Sequence, residues 1–142
     1  MFFCLPLSAQ NVPPSVTDPD EITNIEEERT KIFNQLIEEP TNLENLFTYA
    51  NLSILLGDLE AAVGVFEQML IYEPGLPRIR LELGVLYYRL GAYATAKVYL
   101  QSVKEHDPPD EVLARVDEFL DAITESEETF TFRSVFSSSM KH

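Results

Sequence analysis

Leu55-Leu56-Gly57-Asp58-Leu59-Glu60-Ala61-Ala62 returns in outline 34 residues later as Arg89-Leu90-Gly91-Ala92-Tyr93-Ala94-Thr95-Ala96. The leucine, the glycine and the closing alanine keep their places while their neighbours change. Working outward, the prolines keep the same interval: Glu39-Pro40, Glu73-Pro74 and Asp107-Pro108 each stand 34 residues from the next. Glycine reaches left-handed backbone and proline ends helices, so both punctuate a chain for physical reasons. Each is also scarce, with 5 Gly and 9 Pro in 142 residues. Coincident spacing of both types marks an internal repeat, the pattern expected of stacked supersecondary units.

A period of 34 residues with this punctuation resembles the tetratricopeptide repeat family, whose unit is a helix-turn-helix. The resemblance implies an all-α fold, an α-solenoid of antiparallel helix pairs, over about residues 25–123. It sets full repeats at 43–76 and 77–110, a preceding helix over 25–39 that aligns with the second half of a repeat, and a closing helix over 111–123. In the first unit Leu46, Tyr49, Ala50 and Ser53 form the inward face of the first helix, Gly57 ends it, and Ala62, Phe66 and Met69 answer from the second. In the next unit the matching residues are Leu83, Gly84 and Tyr87, then Gly91, then Ala96, Leu100 and Val103. The small residues Ala50, Gly84, Ala62 and Ala96 let paired helices approach closely. Two positions depart from the family pattern: Arg80 and Leu46 stand where a bulky aromatic is common, and Ser53 stands where Tyr87 supplies the usual tyrosine. The closing helix carries Val112, Leu113, Val116, Phe119, Leu120 and Ile123 on one stripe, as a cap over the last repeat requires.

The same resemblance implies a concave groove lined by the first helices, where a protein or peptide partner binds. Its positions here are Glu44, Phe47, Asn51, Ile54 and Leu55, followed by Arg78, Leu81, Glu82, Val85, Tyr88 and Arg89. Apolar side chains mixed with a few hydrogen-bonding groups suit such a surface. The bland alternative is that Phe47, Leu55 and Tyr88 pack against flanking helices. A clamp for a terminal carboxylate, as some repeat domains carry, fits poorly: Asn51 matches one position, but Phe47 and Glu82 stand where cations or amides are needed. Arg78, Arg80 and Arg89 could receive an acidic peptide, although Glu82 lies one turn from Arg78 and can pair with it.

Catalytic chemistry finds no foothold. No nucleophile has an adjacent base, no metal-ligand spacing such as His-Glu-x-x-His occurs, and no glycine loop could cradle phosphate. His106 beside Asp107 reads as a charge near a helix C-terminus, and Glu26-Glu27-Glu28 as a solvated helical turn. No cofactor or metal is expected, and the expectation is a non-catalytic protein-interaction scaffold.

The ends carry the localisation argument. Phe2 to Leu7 is apolar and is followed by Ser8 and Ala9, which resembles the tail of a signal peptide with cleavage after Ala9. Cys4 is the only cysteine, so one chain cannot hold a disulfide. Residues 10–24, with Pro13, Pro14 and Pro19, read as a linker. After a polar break at 124–128, Phe130, Phe132, Ser134, Phe136, Ser138 and Met140 fall on one side and Thr129, Thr131, Arg133, Val135, Ser137 and Ser139 on the other, a strand signal with no partner strand. This order of parts resembles the periplasmic front of bacterial outer-membrane proteins of the surface lipoprotein assembly modifier type, in which a β-barrel follows the repeats. The resemblance implies a periplasmic or outer-membrane location, with membrane contact only through a barrel that these residues do not contain. The alternative is a soluble intracellular adaptor with a disordered tail.

Charge agrees with a protein partner. With 24 acidic against 10 basic side chains the formal net charge is −14 at pH 7, and no basic cluster offsets it. Such a surface repels phosphate backbones and anionic headgroups, which argues against nucleic acid. Arg78, Arg80, Arg89 and Lys97 fall in the second repeat, so the expected groove is less negative than the rest.

Overall fold

The computed structural model describes residues 15–139, and every element among them is helical. In chain order these are α1 (Pro19–Glu38), α2 (Leu43–Leu55), α3 (Leu59–Tyr72), α4 (Pro77–Arg89), α5 (Tyr93–Val103) and α6 (Asp110–Ser139), with a 3-10 turn at Lys104–His106 before α6. Each helix packs on its neighbours in sequence, α1 on α2, α2 on α3, α3 on α4 and α4 on α5, and α6 lies against both α4 and α5. The result is an all-α solenoid.

Local chemistry explains the boundaries. Asp18 accepts a hydrogen bond from the Asp20 amide at 3.0 Å, and Pro19 supplies a preset backbone angle at the first helical position. Helix α1 therefore begins at Pro19, inside the stretch expected as linker, because Asp-Pro is a helix start as well as a loop signal. Gly57 and Gly91 both sit at φ 78°, where an L side chain is strained. In each turn the next amide reaches back to close the helix end, Asp58 to the Ser53 carbonyl and Ala92 to the Tyr87 carbonyl, both at 2.9 Å. Asp58 then caps α3 through the Ala61 amide and also binds Arg29 of α1 at 3.1 Å, tying three elements at one corner.

Two cores meet at α4. Ile79, Leu83 and Leu86 face the cluster built on Leu46, Ala50, Phe66 and Met69, while Leu81 and Val85 face Leu100, Val103, Val116, Phe119 and Ile123. The stripe of α6 caps the second cluster through Val116, Phe119 and Ile123, all buried. α4 sits close on α5 at Gly84, where a Cβ would lie 2.6 Å from Cγ and Cδ2 of Leu100.

The C-terminal segment departs from expectation. The alternation from Phe130 onward is not a strand; α6 continues through it to Ser139. An extended segment with no partner strand would leave its amides and carbonyls unpaired, whereas a helix satisfies them within the segment. The hydroxyls of Thr124, Ser126, Thr129 and Thr131 all donate to carbonyls four residues back along the same helix. The expected cleavage site after Ala9 and the residue Met140 lie outside the described residues.

Gly84 and Gly64 provide opposite tests of this packing. Gly84→Ala should destabilise the chain by about 1–3 kcal/mol through overpacking against Leu100. Gly64→Ala should stabilise it by about 0.5–1 kcal/mol, because Gly64 is helical and a Cβ there meets nothing within 4 Å. Urea unfolding of both variants beside the parent reads the two signs.

Candidate partner-binding face

The expected groove residues on the first helices of the two units stand in three states of availability. Ile54, Leu81 and Val85 are buried and belong to the cores. Phe47 and Tyr88 are half-buried and already packed. Phe47 lies with its ring centroid 6.0 Å from that of Phe66, and Tyr88 contacts Tyr93 and the edge of Phe119 at 5.5 Å each. Tyr88 is thus in part covered by the capping helix.

The polar groups are divided as well. Glu82 takes Arg78 at 3.0 Å one turn away on α4, and Arg115 of α6 stands 3.9 Å from the same oxygen. Arg78 and Glu82 are therefore largely spoken for, and α6 contributes Arg115 to this face, a residue that sequence reasoning did not select. Asn51 and Arg89 are different. Both are half-buried, and neither side chain has a hydrogen bond or ion pair among the described residues. Burial pulls the Arg89 guanidinium down from its ordinary value, yet an arginine keeps its charge under all physiological conditions. A part-desolvated cation without a counter-charge is a site that gains by meeting an anion. Leu55, half-buried at the end of α2, accepts the Val16 amide at 3.3 Å through its carbonyl, which sets the lead-in across that end.

A second polar arrangement lies in the seam between α3 and α5, over α4. The Tyr87 hydroxyl donates to Glu67 at 2.6 Å, and the Tyr99 hydroxyl reaches the same oxygen at 3.3 Å. The two tyrosine rings stack, with centroids 5.5 Å apart and planes 10° apart. Arg80 donates from Nη2 to the Pro74 carbonyl at 2.9 Å and from Nη1 to Ser102 at 3.3 Å. Arg80 thus fills its aromatic position by bracing the seam rather than by offering a free cation. The Tyr87 proton is held up to about 12, first by its hydrogen bond to Glu67 and then by burial, and Tyr99 is raised in the same direction, chiefly by burial. Glu67 could have been suspected only from its place in the period, since glutamates on outer helix faces usually meet solvent.

Among the described residues no three histidine, cysteine, aspartate or glutamate side chains come together as metal ligands, and no helix is long and apolar enough to cross a membrane.

Tyr87→Phe should cost about 1 kcal/mol at neutral pH by removing a hydrogen bond to a carboxylate. The folded chain holds the Tyr87 proton more tightly than the unfolded one. Its contribution is therefore complete below 10.0 and is lost as pH rises through about 12. The gap between parent and variant urea midpoints should narrow over that window; a gap that stays constant would remove the linkage.

A family model described as Tetratricopeptide repeat matches residues 40–121, more than half of the chain. No curated protein matches it.

Proposed function

Because this chain belongs to the tetratricopeptide repeat family, whose domains bind protein or peptide partners, we propose that it is a non-catalytic scaffold that holds an extended, acidic segment of a partner along the face of its first helices. One observation carries the reading. Arg89 and Asn51, with the Tyr88 hydroxyl, are half-buried polar groups at the expected groove positions that the chain itself leaves without partners among the described residues. A carboxylate answers Arg89 with a charge-assisted bond. A backbone amide or carbonyl of the same segment answers Asn51, which can both donate and accept. Leu55 and the exposed edges of Phe47 and Tyr88 offer apolar contact between them.

The test is an array of short peptides probed with the purified chain. Asn51→Ala with Arg89→Ala should abolish binding of acidic peptides by tenfold or more, about 1.4 kcal/mol or above, at unchanged helicity. Equal binding by parent and variant, or a preference for basic peptides, would overturn the assignment. Phe47→Ala with Tyr88→Ala makes a poorer test, because both rings support neighbouring core residues and their loss weakens the fold as well.

We further propose export from the cytoplasm, supported by the apolar run Phe2 to Leu7 and the small residues Ser8 and Ala9. The narrower outer-membrane role loses one support, since the alternating segment after Glu128 is helical. What remains for it is the order of leader, linker and repeats. Fractionation of cells expressing the chain with a C-terminal tag decides the matter: a periplasmic product beginning at Gln10 agrees with export, and an intact chain in the cytoplasm favours the intracellular adaptor.

A further inference from the structure

The 34-residue register relates two seams, one between α3 and α5 over α4 and one between α1 and α3 over α2. The first is filled by the stacked rings of Tyr87 and Tyr99 and braced by Arg80. One period earlier those places hold Ser53, Val65 and Leu46, and Gly64 stands where the later unit has Val98. The filler is missing, and the second seam is hollow. A cavity of about 380 Å³ opens there, walled by Phe33 and Ile37 of α1, Tyr49 of α2, and Gly64, Val65 and Gln68 of α3. Phe33 is 51% exposed and Ile37 60%, an unusual outlay of apolar surface at a concave site.

At the other end of the stack, α6 runs on past its buried stripe, and residues 127–137 are all exposed. Phe132 and Phe136, 69% and 56% exposed, stack on each other with centroids 6.0 Å apart and planes 18° apart. Their arrangement is close to that of the tyrosine pair which fills the equivalent seam.

The geometry points to a second copy of this chain as the occupant: the Phe132–Phe136 pair of one molecule enters the hollow between α1, α2 and α3 of another. Two independent features single out this partner. Glu128, Phe132 and Phe136 follow one another at intervals of four on α6, and Arg29, Phe33 and Ile37 do the same on α1. Ridges of this spacing pack side by side, and in parallel alignment the aromatic pair meets the apolar pair while Glu128 meets Arg29. The charges also complement. Arg29 commits Nη1 to Asp58, and beside it a smaller hollow of about 240 Å³, bounded by Arg29, Thr30, Phe33 and Tyr49, leaves room for the carboxylate. Within one molecule the contact is not made, since α6 packs on α4 and α5 while α1 packs on α2. The two surfaces differ, so the contact is heterologous, and each molecule carries both a donor and an acceptor.

Sedimentation equilibrium of the full chain between about 10 μM and about 1 mM reads the association directly. The parent chain should self-associate with concentration. Phe132→Ala with Phe136→Ala should weaken this by roughly tenfold or more, as expected for removal of aromatic anchors. Gly64→Leu should do the same from the acceptor side, because the position is open to within 4 Å and the new side chain occupies the hollow. Glu128→Lys, a surface change with little effect on folding, should weaken association by a smaller factor. The decisive measurement mixes the two defective proteins: one keeps its hollow and the other its rings, so a 1:1 complex should form although neither associates alone. A parent chain that stays monomeric throughout the range overturns the proposal and leaves the hollow to a different protein. Unchanged association in the ring and Gly64 variants, or a mixture that stays monomeric, overturns it too. Asn51→Ala with Arg89→Ala should associate like the parent, which keeps this contact separate from binding along the first helices.

Discussion

Helix α4 is buried on two sides, and the rest of the molecule depends on it. A short amphipathic helix has one apolar stripe to hide, and most helices in this chain do so against one pair of neighbours. α4 instead gives Ile79, Leu83 and Leu86 to one cluster and Leu81 and Val85 to the other. Neither cluster closes without it. In a stack where each unit touches only the next, stability is the sum of unit and interface contributions, and α4 takes part in the interfaces on both sides. Its close seat on α5 demands Gly84, since any Cβ would displace the fully buried Leu100. The least substantial residue of the helix sets the distance at which α5 joins the second core.

Much of this was legible because glycine and proline act locally. The turns at Gly57 and Gly91 need left-handed backbone, which glycine takes without strain, so their common interval marks the repeat independently of packing. The inward faces followed from helical spacing, and Ala50, Ala62, Phe66, Leu83, Ala96 and Leu100 are all buried. The C-terminal segment was misread for a physical reason. Phe130, Phe132 and Phe136 at alternate positions, with Thr131, Arg133 and Val135 on the other phase, satisfy the period of a strand, but period alone cannot decide when helical neighbours extend into the segment and no second strand is at hand among the described residues. α1 was entered late because Asp18-Pro19 reads equally as loop and as cap.

The candidate site was legible in outline and not in detail. Register told which residues face the first-helix side, yet it could not tell which of them the fold had already used. Ile54 and Val85 went to the cores, Glu82 went to Arg78, and Tyr88 went to Phe119. Arg78 differs from Arg89 through Glu82, one turn on along the same helix, a pairing that the sequence already suggests. The seams show the same limit from the other direction: Tyr87 and Tyr99 fill one, Gly64 and Val65 line the other and leave it open, and each difference looks minor until both are placed on one period. Repeats diverge position by position, so a hollow arises wherever two small residues fall in the same layer.

The hydrogen bond from Val16 to the Leu55 carbonyl gives the fold a fixed point of entry. Val16 is thereby held at the end of α2, on Leu55 itself, the residue one 34-residue period before Arg89. The Leu55 carbonyl is thus taken from inside the chain, so a segment lying along this face meets Val16 at that end instead of a bare helix terminus.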